Sequence, residues 1–203
     1  QIVDSLNDEQ KNIADFWDDN PFKMNVSGHI MFATKKFSPP GHWMNIVGIA
    51  SQKANADFST TVAAYAETSI ALFDAFINCW YEKFSSNYIR PETVINKYIA
   101  SEWQPYIQTP PFPSHNSGHA TISGAAAEVM TYWFGDKLSF SDTSSLEFGI
   151  QSRQIISFRE AAKEAAMSRL YGGIHYRFDN EDGNQMGIEI GEYILKRLKM
   201  KKN

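Results

Sequence analysis

The sequence has a single cysteine, no excess of positive charge and no long apolar run, and each shortage excludes a class of protein. Because Cys79 is the only cysteine, a disulfide framework within the chain is excluded. The net charge of −4 argues against a nucleic-acid binder, so a cationic site would have to be local. The most apolar stretch, 61–81, is interrupted by Glu67 and Asp74, so we predict no membrane span. No signal peptide is visible.

The sequence also lacks a sustained alternation of apolar and polar residues, which would indicate β-strands. Its 203 residues, 43% of them apolar, are enough for one domain with a full core. We therefore predict an all-α fold, a single helical bundle domain over 1–203. Apolar periodicity and capping residues predict a first helix that ends near 20–21, and further helices over 42–50, 58–84, 92–99, 120–134, 147–171 and 182–199. The segment 58–84 has the widest apolar face, so we expect it near the centre of the bundle.

A proline-rich loop leads directly into one of these helices. Four prolines within 105–113 keep the loop extended, and it delivers Ser117, Gly118 and His119 to the first turn of the next helix. The N–H groups and the positive dipole end of that turn favour an anion, and His119 can exchange a proton near neutral pH. The alternative is that Ser117 only caps the helix and that His119 is a surface histidine. The same tripeptide at 27–29 has neither the prolines nor the helix, so we predict a loop there.

Two further segments hold polar residues at fixed spacings. Six residues separate Lys83 from Arg90-Pro91. Later in the chain, Ser168-Arg169 is followed after five residues by His175, and after three more by Asp179. A lysine and an arginine are usually surface residues when they are considered singly. These two segments indicate a functional site only in combination with the proline-rich loop.

Together, the three pieces resemble the signature of the type 2 phosphatidic acid phosphatase and vanadium-dependent haloperoxidase superfamily. Every internal spacing matches over roughly 60–190, and the one departure is Asn116, where the family often has proline. The context at 111–113 and 175–179 is most similar to the soluble bacterial haloperoxidase-related branch. Members of that branch are generally longer, so this chain is expected to be a short member, the C-terminal part of a longer chain or a fragment. The resemblance also implies a periplasmic or secreted protein.

The resemblance implies a role for each motif residue. His175 is expected to be the nucleophile that forms a phosphohistidine, or the ligand of vanadium if vanadate is bound. Asp179 would hold the imidazole of His175 in its reactive tautomer, and His119 would be the general acid. The residues expected to bind phosphate or vanadate are Lys83, Arg90, Ser117, Gly118 and Arg169, with Ser168 as a support for Arg169. Trp80 and Phe112 fall where related chloroperoxidases carry aromatic residues, and they are candidates for a pocket wall, although packing would also favour aromatic residues there.

Three functions are compatible with this pattern. We favour a metal-independent acid phosphatase that acts on a small phosphomonoester, because it requires no cofactor beyond the residues named. The alternative is a vanadium-dependent haloperoxidase, in which the same pocket binds vanadate and oxidises halide with hydrogen peroxide. A non-catalytic oxyanion-binding or interaction domain is the third, and the presence of both His119 and His175 argues against it. His42 is expected to be packed or solvated. We expect no nucleic-acid partner, and the oligomeric state stays open.

Overall fold

Helices dominate the part of the chain that the structure describes. The structure is a computed structural model and describes residues 2–20, 24–27, 29–33 and 37–201. The α-helices in these ranges are α1 (Asp8–Phe16), α2 (Pro39–Lys53), α3 (Phe58–Ser86), α4 (Pro91–Tyr98), α5 (Gly118–Phe134), α6 (Phe158–Tyr171) and α7 (Arg177–Leu198). The all-α class is therefore confirmed. Across the described ranges, none of the helices is both long and apolar enough to cross a membrane.

Two short antiparallel hairpins accompany the helices, and the sequence did not predict them. Strand β1 (Met24–Ser27) pairs with β2 (Ile30–Ala33), and β3 (Phe140–Asp142) pairs with β4 (Arg153–Ile155). Strands of three or four residues are too short to show a period of two. Of the tripeptide at 27–29, which we predicted as a loop, Ser27 is the last residue of β1, and Gly28 lies outside the described residues.

Several predicted helix limits are wrong. The prediction over 147–171 was too long, because a 3-10 turn and β4 precede α6, which begins only after the cap Ser157. The final helix starts earlier than 182, at Arg177, because the Asp179 side chain accepts a hydrogen bond from the N–H of the N-cap Tyr176. The first helix ends at Phe16, and Pro21, near which we predicted its end, lies outside the described residues.

The central helix of the bundle is α5, and the prediction that 58–84 lies at the centre is wrong. In α5, 12 of the 17 residues are buried. By contrast, α3 leaves large apolar side chains in solvent along its outer face, with Phe58 83%, Phe73 66% and Tyr81 74% exposed. The apolar face of α3 is wider than the part of it that the neighbouring helices cover, so the rest remains exposed to solvent. The many small residues of α5 allow other helices to approach it closely.

Helix α7 approaches α5 at three glycines that recur every fourth residue, Gly183, Gly187 and Gly191. A Cβ atom on Gly187 would clash with the carbonyl oxygen of Thr121 and would lie 2.9 Å from the backbone nitrogen of Ala125. Residues four apart lie on one face of a helix, so the glycines form a continuous strip against α5. This strip sets the distance between the two helices.

We predict that Gly187→Ala destabilises the domain by about 1–3 kcal/mol, because the added methyl forces α5 and α7 apart. An alanine in an unconstrained helix would instead be favoured over glycine. Urea unfolding measures the difference. Gly41→Ala in α2 is the matched control, because its Cβ would come no closer than 3.3 Å to a neighbouring atom. Equal effects of the two substitutions would contradict the role of the strip.

A buried triad joins the turn after α1, helix α2 and strand β3. His42 in α2 is fully buried, with its Nδ1 2.9 Å from Asp19 Oδ2 and its Nε2 2.9 Å from Asp142 Oδ2. Its ring also stacks on the indole of Trp17 at a centroid distance of 4.7 Å. Burial alone would lower the pKa of His42, but the attraction and hydrogen bonds of the two carboxylates outweigh it and raise the pKa to about 9. His42 is therefore packed, and it is a charged part of the core.

We predict that the triad loses its stabilising effect in alkaline solution. The folded-state pKa of His42 lies above the value of 6.5 expected for an unfolded chain, so its contribution is complete below pH 6.5 and disappears as the pH rises through about 9. The contribution is on the order of 3 kcal/mol. Urea unfolding of the wild type and of His42→Gln, from pH 6 to 10, tests this. A difference between the two proteins that does not shrink with rising pH would count against a charged His42.

Candidate oxyanion site

Two helix N-termini meet at the candidate site, those of α5 and α7. Ser117 is the N-cap of α5, and its Oγ accepts a hydrogen bond from the N–H of Ala120. Its own N–H donates to the backbone oxygen of Asp179, in the first turn of α7, over 2.9 Å. Ser117 therefore caps the helix, as the simpler interpretation expected, and also joins the two motif segments. Gly118 begins α5, and His119 follows it half-buried in the same turn.

The proline-rich loop holds the first two cations through its carbonyl groups. Lys83, near the end of α3, is fully buried and donates from Nζ to the backbone oxygens of Pro113 and Ser114, over 2.9 and 3.0 Å. Arg90, the N-cap of α4, donates from Nε to the backbone oxygen of Phe112 over 2.8 Å. Burial lowers the pKa of Lys83 to about 8 and that of Arg90 to about 10. A bound anion would reverse both shifts, so the pair is suited to an oxyanion.

One donor of Arg90 has no partner in the part of the chain that the structure describes. Its Nη1 donates to the backbone oxygen of Ile174 over 2.8 Å and contacts His175 Nε2 at 3.1 Å. The buried Nη2 has no acceptor within hydrogen-bond distance among the described residues. A buried guanidinium nitrogen without an acceptor is costly. The site therefore has a place for one more acceptor beside His175.

His175 is neutral, and its contacts define where the proton lies. A guanidinium can only donate, so His175 Nε2 is the acceptor opposite Arg90. The proton then lies on Nδ1, which is 3.0 Å from Asp179 Oδ2. Burial lowers the pKa of His175 to about 3, and the charges of Arg90 and Lys83 add to this, while the hydrogen bond of Asp179 opposes it. Nε2 is thus unprotonated near neutral pH, and its lone pair accepts from Arg90 Nη1.

Asp179 is held by more groups than the motif indicates. Ser114 Oγ donates to Asp179 Oδ2, as does the N–H of Tyr176, and His115 Nδ1 lies 3.3 Å from Oδ1. Burial raises the pKa of Asp179, but the hydrogen bonds from His175 and Ser114 outweigh it, and the net shift is downward. Ser114 and His115 were missed by the sequence reasoning. Their position three and two residues before the Ser-Gly-His motif was the one signal that could have found them.

Arg169 joins the other cations from the end of α6. It is 3% exposed, and its positive charge further lowers the pKa of Arg90. Its Nη2 donates to the backbone oxygen of Trp17 over 3.2 Å, and its Nη1 lies 3.8 Å from Asp18 Oδ1. Ser168 Oγ accepts from Arg169 Nε over 3.1 Å, consistent with the support that we expected from this serine. The partners at 17–18 lie about 150 positions earlier in the chain, so no local pattern indicated them.

Aromatic side chains lie beside the cations. The rings of Trp80 and Phe112 are 5.1 Å apart, and Lys83 Nζ and the Arg90 guanidinium carbon lie 5.3 and 5.2 Å from the centre of the Phe112 ring. Trp80 also stacks on Phe76 at 4.0 Å. Trp80 is half-buried, so it is not part of the buried core.

The structure therefore brings most of the predicted residues into one connected group. Direct contacts or electrostatic effects link the site residues predicted at Lys83, Arg90, Ser117, Arg169, His175 and Asp179. Gly118 lies against this group, because a Cβ atom on it would be 3.6 Å from the Trp80 ring. His42 lies outside it, in the triad. Among the described residues, no cluster of His, Cys, Asp or Glu could hold a metal cation.

The comparisons with known proteins point to vanadium enzymes. The family model of the VCPO second helical-bundle domain matches residues 96–203. The structure of a bacterial vanadium-dependent iodoperoxidase, described as the first, is 45% identical and superposes with a TM-score of 0.89, over 97% of this chain and 47% of that one. None of the curated proteins matches the chain.

Two more distant structures support the fold alone. A holo-type bacterial vanadium-dependent chloroperoxidase is 21% identical, with a TM-score of 0.72 over 96% of this chain and 45% of that one. The apo-type structure of a bacterial vanadium-dependent chloroperoxidase is also 21% identical, with a TM-score of 0.71 over 96% of this chain and 46% of that one. The chain thus spans about half the length of each of these structures.

We predict that His175 stays neutral, with its proton on Nδ1, throughout the physiological pH range. Its folded-state pKa of about 3 lies below the unfolded value of 6.5, so its contribution to stability is complete above pH 6.5 and is lost as the pH falls toward 3. Nitrogen-15 NMR of labelled histidine measures both the tautomer and the titration. His175→Asn should make the unfolding free energy less sensitive to pH in this window. A midpoint for His175 between pH 5 and 7 would show that the proton assignment is wrong.

Proposed function

Because the chain belongs to the family of the VCPO second helical-bundle domain, within the vanadium haloperoxidase and type 2 phosphatidic acid phosphatase superfamily, we propose that it is the vanadate-binding half of a vanadium-dependent haloperoxidase. The observation that carries the proposal is a neutral His175 Nε2 beside an Arg90 guanidinium whose Nη2 has no acceptor among the described residues. One atom offers a lone pair to vanadium, and the other offers a hydrogen bond to a vanadate oxygen. Similarity to an iodoperoxidase over almost the whole chain supports the same conclusion.

The residues present fit vanadate. An oxyanion with several charged oxygens requires cations on more than one side, and Lys83, Arg90 and Arg169 supply them. The hydroxyl of Ser117 and the N–H of Gly118 add neutral donors at a helix N-terminus. When bound, vanadate supplies the Lewis acidity that activates hydrogen peroxide for the two-electron oxidation of a halide.

Each side chain has a separate task in this proposal. His175 would provide the nitrogen ligand, and Asp179 keeps the proton on the opposite ring nitrogen, which leaves Nε2 unprotonated. To bind vanadate, Nε2 would exchange its contact with Arg90 Nη1 for the ligand. Lys83 and Arg90 bind oxygens while the loop carbonyls hold the two cations in place. His119, at the start of α5, holds or delivers a proton at the oxyanion. Trp80 and Phe112 exclude water from one side of the pocket.

The prediction of a metal-independent acid phosphatase with no required cofactor is wrong. The solved structures that match are vanadium-dependent iodo- and chloroperoxidases, and the matching family model is that of their second helical bundle. The error has a physical origin. Vanadate imitates the shape of the phosphoryl transition state, so both reactions use the same cations, donors and histidine. The sequence motifs specify the residues that both reactions share, and they do not distinguish a phosphate ester from vanadate as the ligand.

The proposed halide is iodide, because the iodoperoxidase is 45% identical whereas the chloroperoxidases are 21% identical. The proposed activity is that of a whole protein of which this chain is about half, as judged from the lengths of the matched structures. The single-domain assignment over 1–203 and the periplasmic or secreted location remain predictions.

We predict that orthovanadate binds the chain and that Arg90→Lys weakens binding about ten- to hundredfold, because lysine keeps the charge but loses the planar fork of donors. Isothermal titration calorimetry measures the affinity. Arg159→Lys is the matched control, because Arg159 is a half-exposed arginine paired with Glu128 and Asp136. It should leave the affinity unchanged.

The activity itself is tested by peroxide-dependent oxidation of iodide with and without added vanadate, on the 203-residue chain and on a longer protein that contains it. Turnover should require vanadate and should be abolished by His175→Ala, because the nitrogen ligand is lost. Vanadate-independent turnover, or a wild-type chain that does not bind orthovanadate, would refute the proposal.

A further inference from the structure

Three donors converge on one carboxylate oxygen beside His175. Oδ2 of Asp179 accepts hydrogen bonds from Ser114 Oγ over 2.5 Å, from His175 Nδ1 over 3.0 Å and from the N–H of Tyr176 over 3.1 Å. The other oxygen, Oδ1, lies 3.3 Å from His115 Nδ1. A carboxylate oxygen offers about two lone pairs, so three donors share fewer acceptor positions than they need. The hydroxyl of Ser114 therefore competes with the imidazole of His175 for the same charge.

The backbone of Ser114 fixes the place of this hydroxyl. The residue is fully buried, its N–H donates to the backbone oxygen of Tyr88 over 2.8 Å, and its carbonyl accepts from Lys83 Nζ over 3.0 Å. The described partners of its Oγ are Asp179 Oδ2 and, at 3.5 Å, His175 Nδ1. Because Nδ1 carries the proton of the neutral ring, it does not accept from a hydroxyl. The hydrogen of Ser114 is therefore directed to the carboxylate.

The hydrogen bond between Asp179 and His175 acts on the opposite ring nitrogen. A carboxylate that accepts the N–H of one nitrogen makes the other nitrogen more basic and a stronger metal ligand. A second donor that takes up part of the same carboxylate charge reduces this effect. The N–H of Tyr176 is a backbone group at the start of α7, so Ser114 is the side chain that shares Oδ2 with the imidazole.

We propose that Ser114 is a positioning residue for His175: its hydroxyl occupies part of Asp179 Oδ2 and so limits how strongly the carboxylate acts on the imidazole, which sets the donor strength of Nε2. The inference deepens the proposed function and rests on it, because Nε2 is the atom proposed to bind vanadium. Through its carbonyl, the same residue also holds Lys83, so Ser114 acts on both the nitrogen ligand and a cation of the site.

The first test observes the proton on Nδ1 of His175 by NMR at pH 7, in the protein without added vanadate. A stronger hydrogen bond moves such a proton downfield. Ser114→Ala removes the competing donor and leaves the backbone contacts with Tyr88 and Lys83, so the resonance should move downfield. Ser114→Cys should move it less, because a thiol is a weak donor. The resonance is assigned by its disappearance in His175→Asn.

The second test is calorimetric titration of orthovanadate at pH 7. Ser114→Ala should bind about three- to tenfold more tightly than the wild type, at most the net contribution of one hydrogen bond, with Ser114→Cys between the two. A serine that only held the loop in place would give the opposite order. Ser51→Ala in α2 is the matched control, because Ser51 is also buried and its hydroxyl has no partner among the described residues. It should change neither the resonance nor the affinity.

The two measurements separate this inference from the proposed function. An Nδ1 proton that stays in place or moves upfield in Ser114→Ala would overturn the inference, whether or not orthovanadate binds. Unchanged or weaker binding of orthovanadate by Ser114→Ala would also overturn it. If Ser114→Ala does not fold, Ser114→Cys decides by the same two criteria. A wild-type chain that does not bind orthovanadate would refute the proposed function and leave the Nδ1 resonance as the deciding result.

Discussion

The close contact between α5 and α7 is the constraint on which the site depends. Gly183, Gly187 and Gly191 let the two helices approach until their backbones almost touch, and the first turns of both helices then meet at one end. That meeting allows the N–H of Ser117 to reach the backbone oxygen of Asp179, and it brings the serine and histidine motifs into one pocket. A methyl group on the central glycine would separate the motifs without altering any residue that binds the ligand. The packing of small residues is therefore part of the chemistry of the site.

The electrostatics of the pocket are local, as a chain with a net charge of −4 requires. Two buried histidines show how much the neighbours matter. His42 faces two carboxylates, and its pKa rises to about 9. His175 faces one carboxylate together with Arg90 and Lys83, and its pKa falls to about 3. The same side chain is thus a structural cation in one place and a neutral hydrogen-bond acceptor in the other.

Local sequence signals were sufficient to predict the limits of a helix where proline, glycine and capping residues flank it. The start and end of α5 followed from the proline-rich loop and Gly135, and the fixed spacings identified the charged residues that the structure links. Long-range contacts left no such signal. Nothing near Arg169 indicated that the turn at 17–19 would hold it, and the apolar width of α3 did not show that one face would remain exposed. The hairpins were too short to show a period of two. The choice between phosphatase and haloperoxidase failed for a different reason, because both chemistries require the same shell around an oxyanion.

What lies beside that shell bears on the halide of the proposed haloperoxidase activity. The rings of Trp80 and Phe112 form an apolar wall against which Lys83 and Arg90 present their charge. A halide that enters this space must give up water, and the cost of removing water from an anion falls as the ion becomes larger. Iodide would therefore lose the least hydration free energy on approaching the aromatic side, and Lys83 and Arg90, which lie over the Phe112 ring, would compensate part of that loss. By this argument the aromatic wall favours the same halide as the sequence similarity does. It does so through desolvation and not through a specific hydrogen bond.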